Sequence, residues 1–366
     1  LTWQITGSAT AIGLVNVFRA VPLITLGLLG GVLADRFDKR KILVAIQIWS
    51  LAIHVTMAVI ILAGWVQLWH VYLTAFLMGG GMAMNQPVRT SIIPQLLQGK
   101  LLVNAMSLNS IAINVTRLVG PAGVGFMIAL AGDNVGPAYV VASALYVFIV
   151  ISTTMISYPG RPLEGPRASM AADLMEGFRY MLLDNRTVLA LVVLAMGPLA
   201  FAYTYVTLLP VFVTEVLDMD ASGFGTIQSV SAIGALVGGF ALASMGYVPH
   251  RGKLMLGTGL SYGAAVVLLG GVDVLLLVFA VVVVAGASQT IFRAANNTTL
   301  LDITPSRLQG RIVSLTFLDM GVQSMAAIVA GRVTDIWDVT TGMTVLGGMC
   351  IAVVVLIGLG APAVRR

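Results

Sequence analysis

Apolar residues run along this chain in long blocks, and polar residues gather in the short gaps between them. A bilayer core about 30 Å thick takes roughly 20 residues of helix. By that ruler eleven blocks are long enough, near 12–34, 42–63, 68–92, 102–131, 136–157, 187–213, 223–245, 253–272, 274–299, 308–336 and 340–361. Strands of a membrane barrel would alternate over about ten residues each, and these continuous runs do not. The pattern predicts an all-α polytopic membrane protein.

The gaps carry a second pattern, in charge. The turns near 35–41, 93–101, 159–186, 246–253 and 300–311, with Arg365 and Arg366, hold fifteen of the twenty Lys and Arg residues. The alternate turns hold acids instead: Asp133, then Glu215, Asp218 and Asp220, then Asp273, then Asp335 and Asp338, with Arg332 the one basic residue near them. Basic turns mark the cytoplasmic face, which places the C-terminus inside and Leu1 outside.

A shift of about 208 residues lays one half of the chain on the other. Gly30-Gly31 falls on Gly238-Gly239, and the basic turn after it on His250, Arg251 and Lys253. Gln98-Gly99-Lys100 resembles Gln309-Gly310-Arg311, and Ala105-Met106-Ser107-Leu108 resembles Ile312-Val313-Ser314-Leu315. Internal repeats of this kind build transporter folds. The block at 187–213 then needs a partner ahead of Leu1, with Leu1–Ile5 as its tail, so a first helix is expected to be missing from this chain. The predicted organisation is an N-terminal bundle at 1–158, a cytoplasmic linker at 159–186 and a C-terminal six-helix bundle at 187–366. In the linker, Met170, Leu174, Phe178, Met181 and Leu182 recur at helical spacing between charged residues. That predicts an amphipathic helix on the cytoplasmic surface.

Composition agrees with this class. The chain is 58% hydrophobic and 10% charged, with a mean hydropathy of +0.98, whereas a soluble domain carries roughly 25% charged residues. The net charge of +5 follows from the basic turns and does not point to nucleic acid. Cys350 is the single cysteine, which excludes an internal disulfide and a cysteine-rich metal site. His54, His70 and His250 are scattered, no signal peptide is evident ahead of the first block, and no metal or other cofactor is expected.

The stretch Gly30-Gly31-Val32-Leu33-Ala34-Asp35-Arg36-Phe37-Asp38-Lys39-Arg40-Lys41 resembles the loop between helices 2 and 3 of the major facilitator superfamily. Gly120-Pro121, followed by Gly123 and Gly125, resembles the Gly-Pro signature that antiporters of that superfamily carry in helix 5, although Val124 and Thr116 stand where glycines are expected. Gln4-Ile5-Thr6-Gly7-Ser8 and Ala20-Val21-Pro22 are most similar to the bacterial branch that includes enterobactin and macrolide exporters. The resemblance implies a major facilitator fold of two six-helix bundles, here with helix 1 largely absent. It also implies a cytoplasmic gate motif at Gly31, Asp35, Arg36 and Arg40, with Arg89 placed to pair with Asp35, and a kink at Gly120 and Pro121. One departure is that Phe76-Leu77-Met78-Gly79-Gly80-Gly81 lacks the arginine that drug antiporters often carry in helix 4.

Charges within apolar blocks cost at least about 2.5–3.5 kcal/mol each on insertion scales, and normally face protein or water. Arg19, Arg89, Arg117, Arg293 and Asp319 are such charges. Arg117 and Asp319 are expected nearest the midplane, one in each half, with Asp319 either a proton carrier or half of a fixed clamp. Arg19, Asn109, Arg117, Arg293 and Asp319 form the predicted substrate and ion pathway. Phe18, Tyr203, Tyr205 and Phe292 are candidates for an aromatic contact or for packing.

The expected function is proton-coupled efflux of a small amphipathic molecule, drug or siderophore-like, from the cell inner membrane by a monomer. An importer or lysolipid flippase on the same fold, and a non-transporting receptor, are the alternatives. No catalytic triad, metal-ligand spacing or phosphate-binding loop stands out, so no enzyme is expected.

Overall fold

A computed structural model describes residues 1–36, 38–96, 99–132, 134–156, 170–245, 250–316 and 318–365, with some of the side chains inside the helices left out. Its helices are α1 Thr2–Thr6, α2 Ala9–Arg36, α3 Lys39–Leu62, α4 Leu68–Leu96, α5 Gly99–Leu130, α6 Gly136–Thr154, α7 Met170–Arg179, α8 Arg186–Ala195, α9 Tyr205–Glu215, α10 Ala221–Ser244, α11 Arg251–Gly270, α12 Leu275–Ile303, α13 Ser306–Thr316, α14 Leu318–Ile336 and α15 Val339–Gly360. They overlay every apolar block read from the sequence, with α8 and α9 sharing one block and α13 and α14 another. Among the described residues, eight segments are both long and apolar enough to cross a membrane. Large apolar side chains such as Leu130, Phe148, Phe240 and Leu356 lie exposed on the helices, as a surface solvated by lipid requires.

The chain divides into two compact units. Unit 1 comprises Leu1–Gly7 and Leu14–Arg167, and unit 2 comprises Ser8–Gly13 and Ala168–Arg366. In unit 1, α3 packs against α4 and α6. Leu1 joins Met57, Ile61 and Val135 in an apolar cluster, and α1 ends at Gly7, whose φ of 57° is the left-handed conformation that glycine adopts without strain. Asp38 starts α3 as its N-cap, accepting from the N–H groups of Arg40 (2.9 Å) and Lys41 (3.2 Å). The Arg40 guanidinium donates to the Thr154 carbonyl at the end of α6.

Unit 2 repeats the same pairings one half-chain later: α11 packs against α12 and α15, as α3 packs against α4 and α6. Glycines carry a further match. In unit 1 the Cβ position of Gly79 on α4 is taken by the Arg19 carbonyl and Pro22 of α2. In unit 2 the Cβ positions of Gly234 and Gly238 on α10 are taken by the backbone of Val283 and Ala287 on α12, and that of Gly286 by the Ser231 carbonyl. Each unit thus brings two helix backbones together where small residues permit it. Gly286→Val is expected to destabilise unit 2 by about 1–3 kcal/mol through overpacking, read as a lower thermal midpoint of the purified protein. An unchanged midpoint would show that the crossing has slack.

At the acidic ends, Asp220 and Asp338 are the N-caps of α10 and α15. Hydroxyl donation from Ser222 to Asp220, and from Thr340 to Asp338, holds both carboxyls below the usual carboxylate range. Asp335, at the end of α14, works differently, because it caps α2. Its carboxylate accepts from the Ser8 hydroxyl (2.8 Å), the Ala9 N–H (2.7 Å) and the Thr10 N–H (3.1 Å). Below this cap, a Cβ on Gly13 would lie 2.5 Å from the Ala327 carbonyl oxygen, and one on Gly331 2.6 Å from that of Ala9. The helix α2 therefore begins on α14, and from Leu14 onward belongs to unit 1.

The helix α7, Met170–Arg179, docks within unit 2. Glu176 of α7 pairs with Arg311 of α13, and Gly177 lets α7 approach to where a Cβ would meet Arg311 and Leu315 at 3.3 Å. Arg311→Glu is expected to raise amide exchange across Met170–Arg179 by about fivefold at most, since a half-exposed pair is worth about 0.2–1 kcal/mol. The double variant Arg311→Glu with Glu176→Arg is expected to restore the protection. No response in either variant would mean that packing alone holds α7.

Candidate functional site

The block 186–215 cannot be one regular helix. Pro198 has no N–H to give the ladder and its ring clashes with the preceding turn. The chain passes from α8 through a π-helical turn at Met196–Phe201 and a 3-10 turn at Ala202–Thr204 before α9 begins. Such turns recur at functional sites, because they re-aim the side chains that follow. Here the irregular stretch is held in place from both sides. A Cβ on Gly197 would meet the Cys350 carbonyl oxygen at 3.2 Å. The buried Thr204 hydroxyl donates to the Ala200 carbonyl (2.6 Å) and lies 3.4 Å from the Gln323 carbonyl of α14.

Around this turn, unit 2 gathers polar groups from five blocks. Asp319 of α14 is half-buried and feels the charge of Arg293 on α12. Tyr262 of α11 meets Tyr205 edge-on, with ring centroids 6.5 Å apart, and the Tyr205 hydroxyl is 3.5 Å from the Ser231 hydroxyl of α10. At 1.5 Å per residue, Asp319, in the first turn of α14, lies about 5 Å from the middle of the block 308–336, and Arg293 about 10 Å from the middle of the block 274–299. A carboxylate and an exposed guanidinium held inside apolar blocks can take up a proton or a charged ligand, chemistry that hydrocarbon alone would not support.

The other predicted residues are placed more widely. Arg19 lies in unit 1, exposed, about 5 Å from the middle of α2 toward its N-terminal end. Asn109 is half-buried on α5. Arg89 is exposed on α4, while Asp35, Arg36 and the environment of Gly31 lie outside the described side chains, and with them the expected pair of Arg89 and Asp35. The side chain of Arg117 also lies outside the description, so its relation to Asp319 rests on the sequence. Arg40 makes the contact with α6 given above. Pro121 is inside α5. Among the described residues, a Cβ on Gly120 would touch only Thr116 of the same helix, and one on Gly123 would meet nothing within 4 Å. Of the aromatic candidates, Tyr205 and Phe292 are buried as packing residues, whereas Tyr203 and Phe18 remain partly open. The cap at Asp335 and the contact of Thr204 with Gln323 have no local sequence signal; Gly197-Pro198 announces the irregular turn.

Two units of membrane-length helices that repeat the same pairings, one of them holding a carboxylate and a guanidinium inside apolar blocks, define a multi-pass transporter of the major facilitator type. The chain belongs to the transmembrane secretion effector family, whose model matches residues 1–364. It is 23% identical over 355 residues to the staphyloferrin A transporter of Staphylococcus aureus (strain NCTC 8325 / PS 47), covering 95% of this chain and 87% of that protein. It is also 23% identical over 366 residues to macrolide efflux protein A of Streptococcus pyogenes, with the same coverage. Among solved structures, a POT family transporter crystallised with 5-aminolevulinic acid superposes with a TM-score of 0.80 at 12% identity, covering 98% of this chain and 89% of that one. The protein is a membrane transporter and not an enzyme.

Proposed function

We propose that the protein is a proton-linked exporter of a small amphipathic molecule, working by alternating access in the cell inner membrane as a monomer with its C-terminus in the cytoplasm. The observation that carries this reading is Asp319. It is the one acid well inside an apolar block, it is half-buried, and it shares its surroundings with Arg293. A carboxylate there can bind a proton from one side and release it to the other. Arg117 is proposed as a further charge on the pathway, and Asp35 with Arg89 as a cytoplasmic charge lock. Export as the direction is supported by the macrolide efflux relative, and the cytoplasmic C-terminus by the basic turns.

The test is accumulation of a panel of dyes, macrolides and siderophores in cells expressing the protein, with and without an uncoupler. Lower accumulation of at least one compound, abolished by the uncoupler, is the expected result. Export that persists after the proton gradient collapses would contradict proton linkage, and accumulation raised by expression would contradict the direction.

A further inference from the structure

Unit 1 carries a charge that the proposed proton pathway does not use. Among the described residues of unit 1 the acids are Asp35 and Asp38, at the end of α2 and the start of α3. Among the described residues, Arg19 therefore has no carboxylate of its own unit at its depth. Its guanidinium makes one hydrogen bond among the described residues, donating to the Asn16 Oδ1 at 3.0 Å. Arginine offers five N–H donors in a planar fork, so most of the fork is open. The side chain is exposed, and its Cα lies roughly 10 Å short of the interface of a core about 30 Å thick. A guanidinium at that depth is costly in hydrocarbon, which makes its exposed face a water-accessible one.

A ring pair lies one position away along α2. Phe18 precedes Arg19 on α2 and stacks on Tyr72 of α4, with centroids 4.8 Å apart and planes 11° from parallel. Phe18 is still 39% exposed, so the pair keeps an open edge. The backbone at this level is fixed, because α4 packs Gly79 against the Arg19 carbonyl. A fork with vacant donors, one residue along the same fixed helix level from an open aromatic surface, fits an organic anion that carries a ring: the carboxylate or phenolate takes the guanidinium and the ring packs on Phe18.

We infer that Arg19, oriented by Asn16 and flanked by the Phe18–Tyr72 pair, is the subsite that takes the anionic group of an aromatic organic anion. The inference deepens the transport reading and rests on it for the role of the bound anion.

The test is calorimetric titration of the purified full chain with three ligands built on one ring: hippurate, its uncharged methyl ester, and benzyltrimethylammonium. Hippurate is expected to bind at least about tenfold more tightly than the ester, the scale of one charge-assisted bond. Arg19→Gln is expected to erase that ratio, Arg19→Lys to restore part of it, and Phe18→Leu to weaken acid and ester alike with the ratio kept. Equal affinity for acid and ester, no binding of either, tighter binding of the ammonium ligand, or a ratio that survives Arg19→Gln would each overturn the inference. Circular dichroism of each variant shows whether the fold is intact. The export reading fails separately: uncoupler-resistant export would leave the acid-to-ester ratio standing, and loss of the ratio would leave uncoupler-sensitive macrolide export standing.

Discussion

Replacing Asp319 by Asn is expected to abolish transport driven by a proton gradient while leaving substrate exchange down its own gradient intact. Asn is nearly isosteric with Asp and cannot ionise, so the helix packing around α14 is kept and only the proton site is lost. The Thr204 hydroxyl near the Gln323 carbonyl, one turn further along α14, does not depend on that carboxylate. Counterflow in proteoliposomes reads the second property, and uphill efflux under an imposed pH difference reads the first. A variant that still drives uphill efflux would reduce Asp319 to a fixed partner of Arg293. Loss of both activities in a folded variant would move Asp319 into substrate binding.

The second large effect is expected at the start of α2. Asp335 takes three donors from the first turn of that helix, and the backbones below it touch at Gly13 and Gly331. Loss of a helix cap costs about 0.5–2 kcal/mol, and 1.4 kcal/mol is a factor of ten in an equilibrium. Asp335→Ala is therefore expected to free the first turn of α2 and raise the reactivity of a cysteine placed at Ser8 about tenfold toward an impermeant thiol reagent added from outside. The single native cysteine, Cys350, is buried and is removed as Cys350→Ala in the labelling background. Gly331→Leu goes further, since its Cβ alone would sit 2.6 Å from the Ala9 carbonyl oxygen. It is expected to stop transport in a protein that still assembles in the membrane. Unchanged labelling in Asp335→Ala, with normal transport in Gly331→Leu, would mean that the cap holds nothing that moves.

Much of the architecture was legible because a membrane imposes long-period rules on sequence. Apolar length set the blocks, basic residues marked alternate turns, and the half-chain offset anticipated that α11, α12 and α15 repeat the packing of α3, α4 and α6. The site was less legible, for reasons that particular residues make plain. Asp335 reads as one more acid in an acidic turn, and its partner Ser8 lies 327 residues away; nothing local links them. Arg40 reads as part of a gate motif, yet its guanidinium also ties α3 to the last carbonyl of α6. Gly120 and Gly123 look in the sequence like the close-packed glycines Gly79 and Gly286, and only the neighbouring backbone separates the two kinds. Tyr205 and Phe292 carry the same side-chain signal as Tyr203 and Phe18, but burial assigns the first two to packing.

The most direct test of proton-linked transport is a proton-flux measurement on the purified protein in liposomes containing a pH-sensitive dye. Substrate supplied on one side should drive protons the opposite way, at a rate that follows substrate flux and vanishes in Asp319→Asn. Substrate crossing the membrane with no accompanying proton movement would contradict the account.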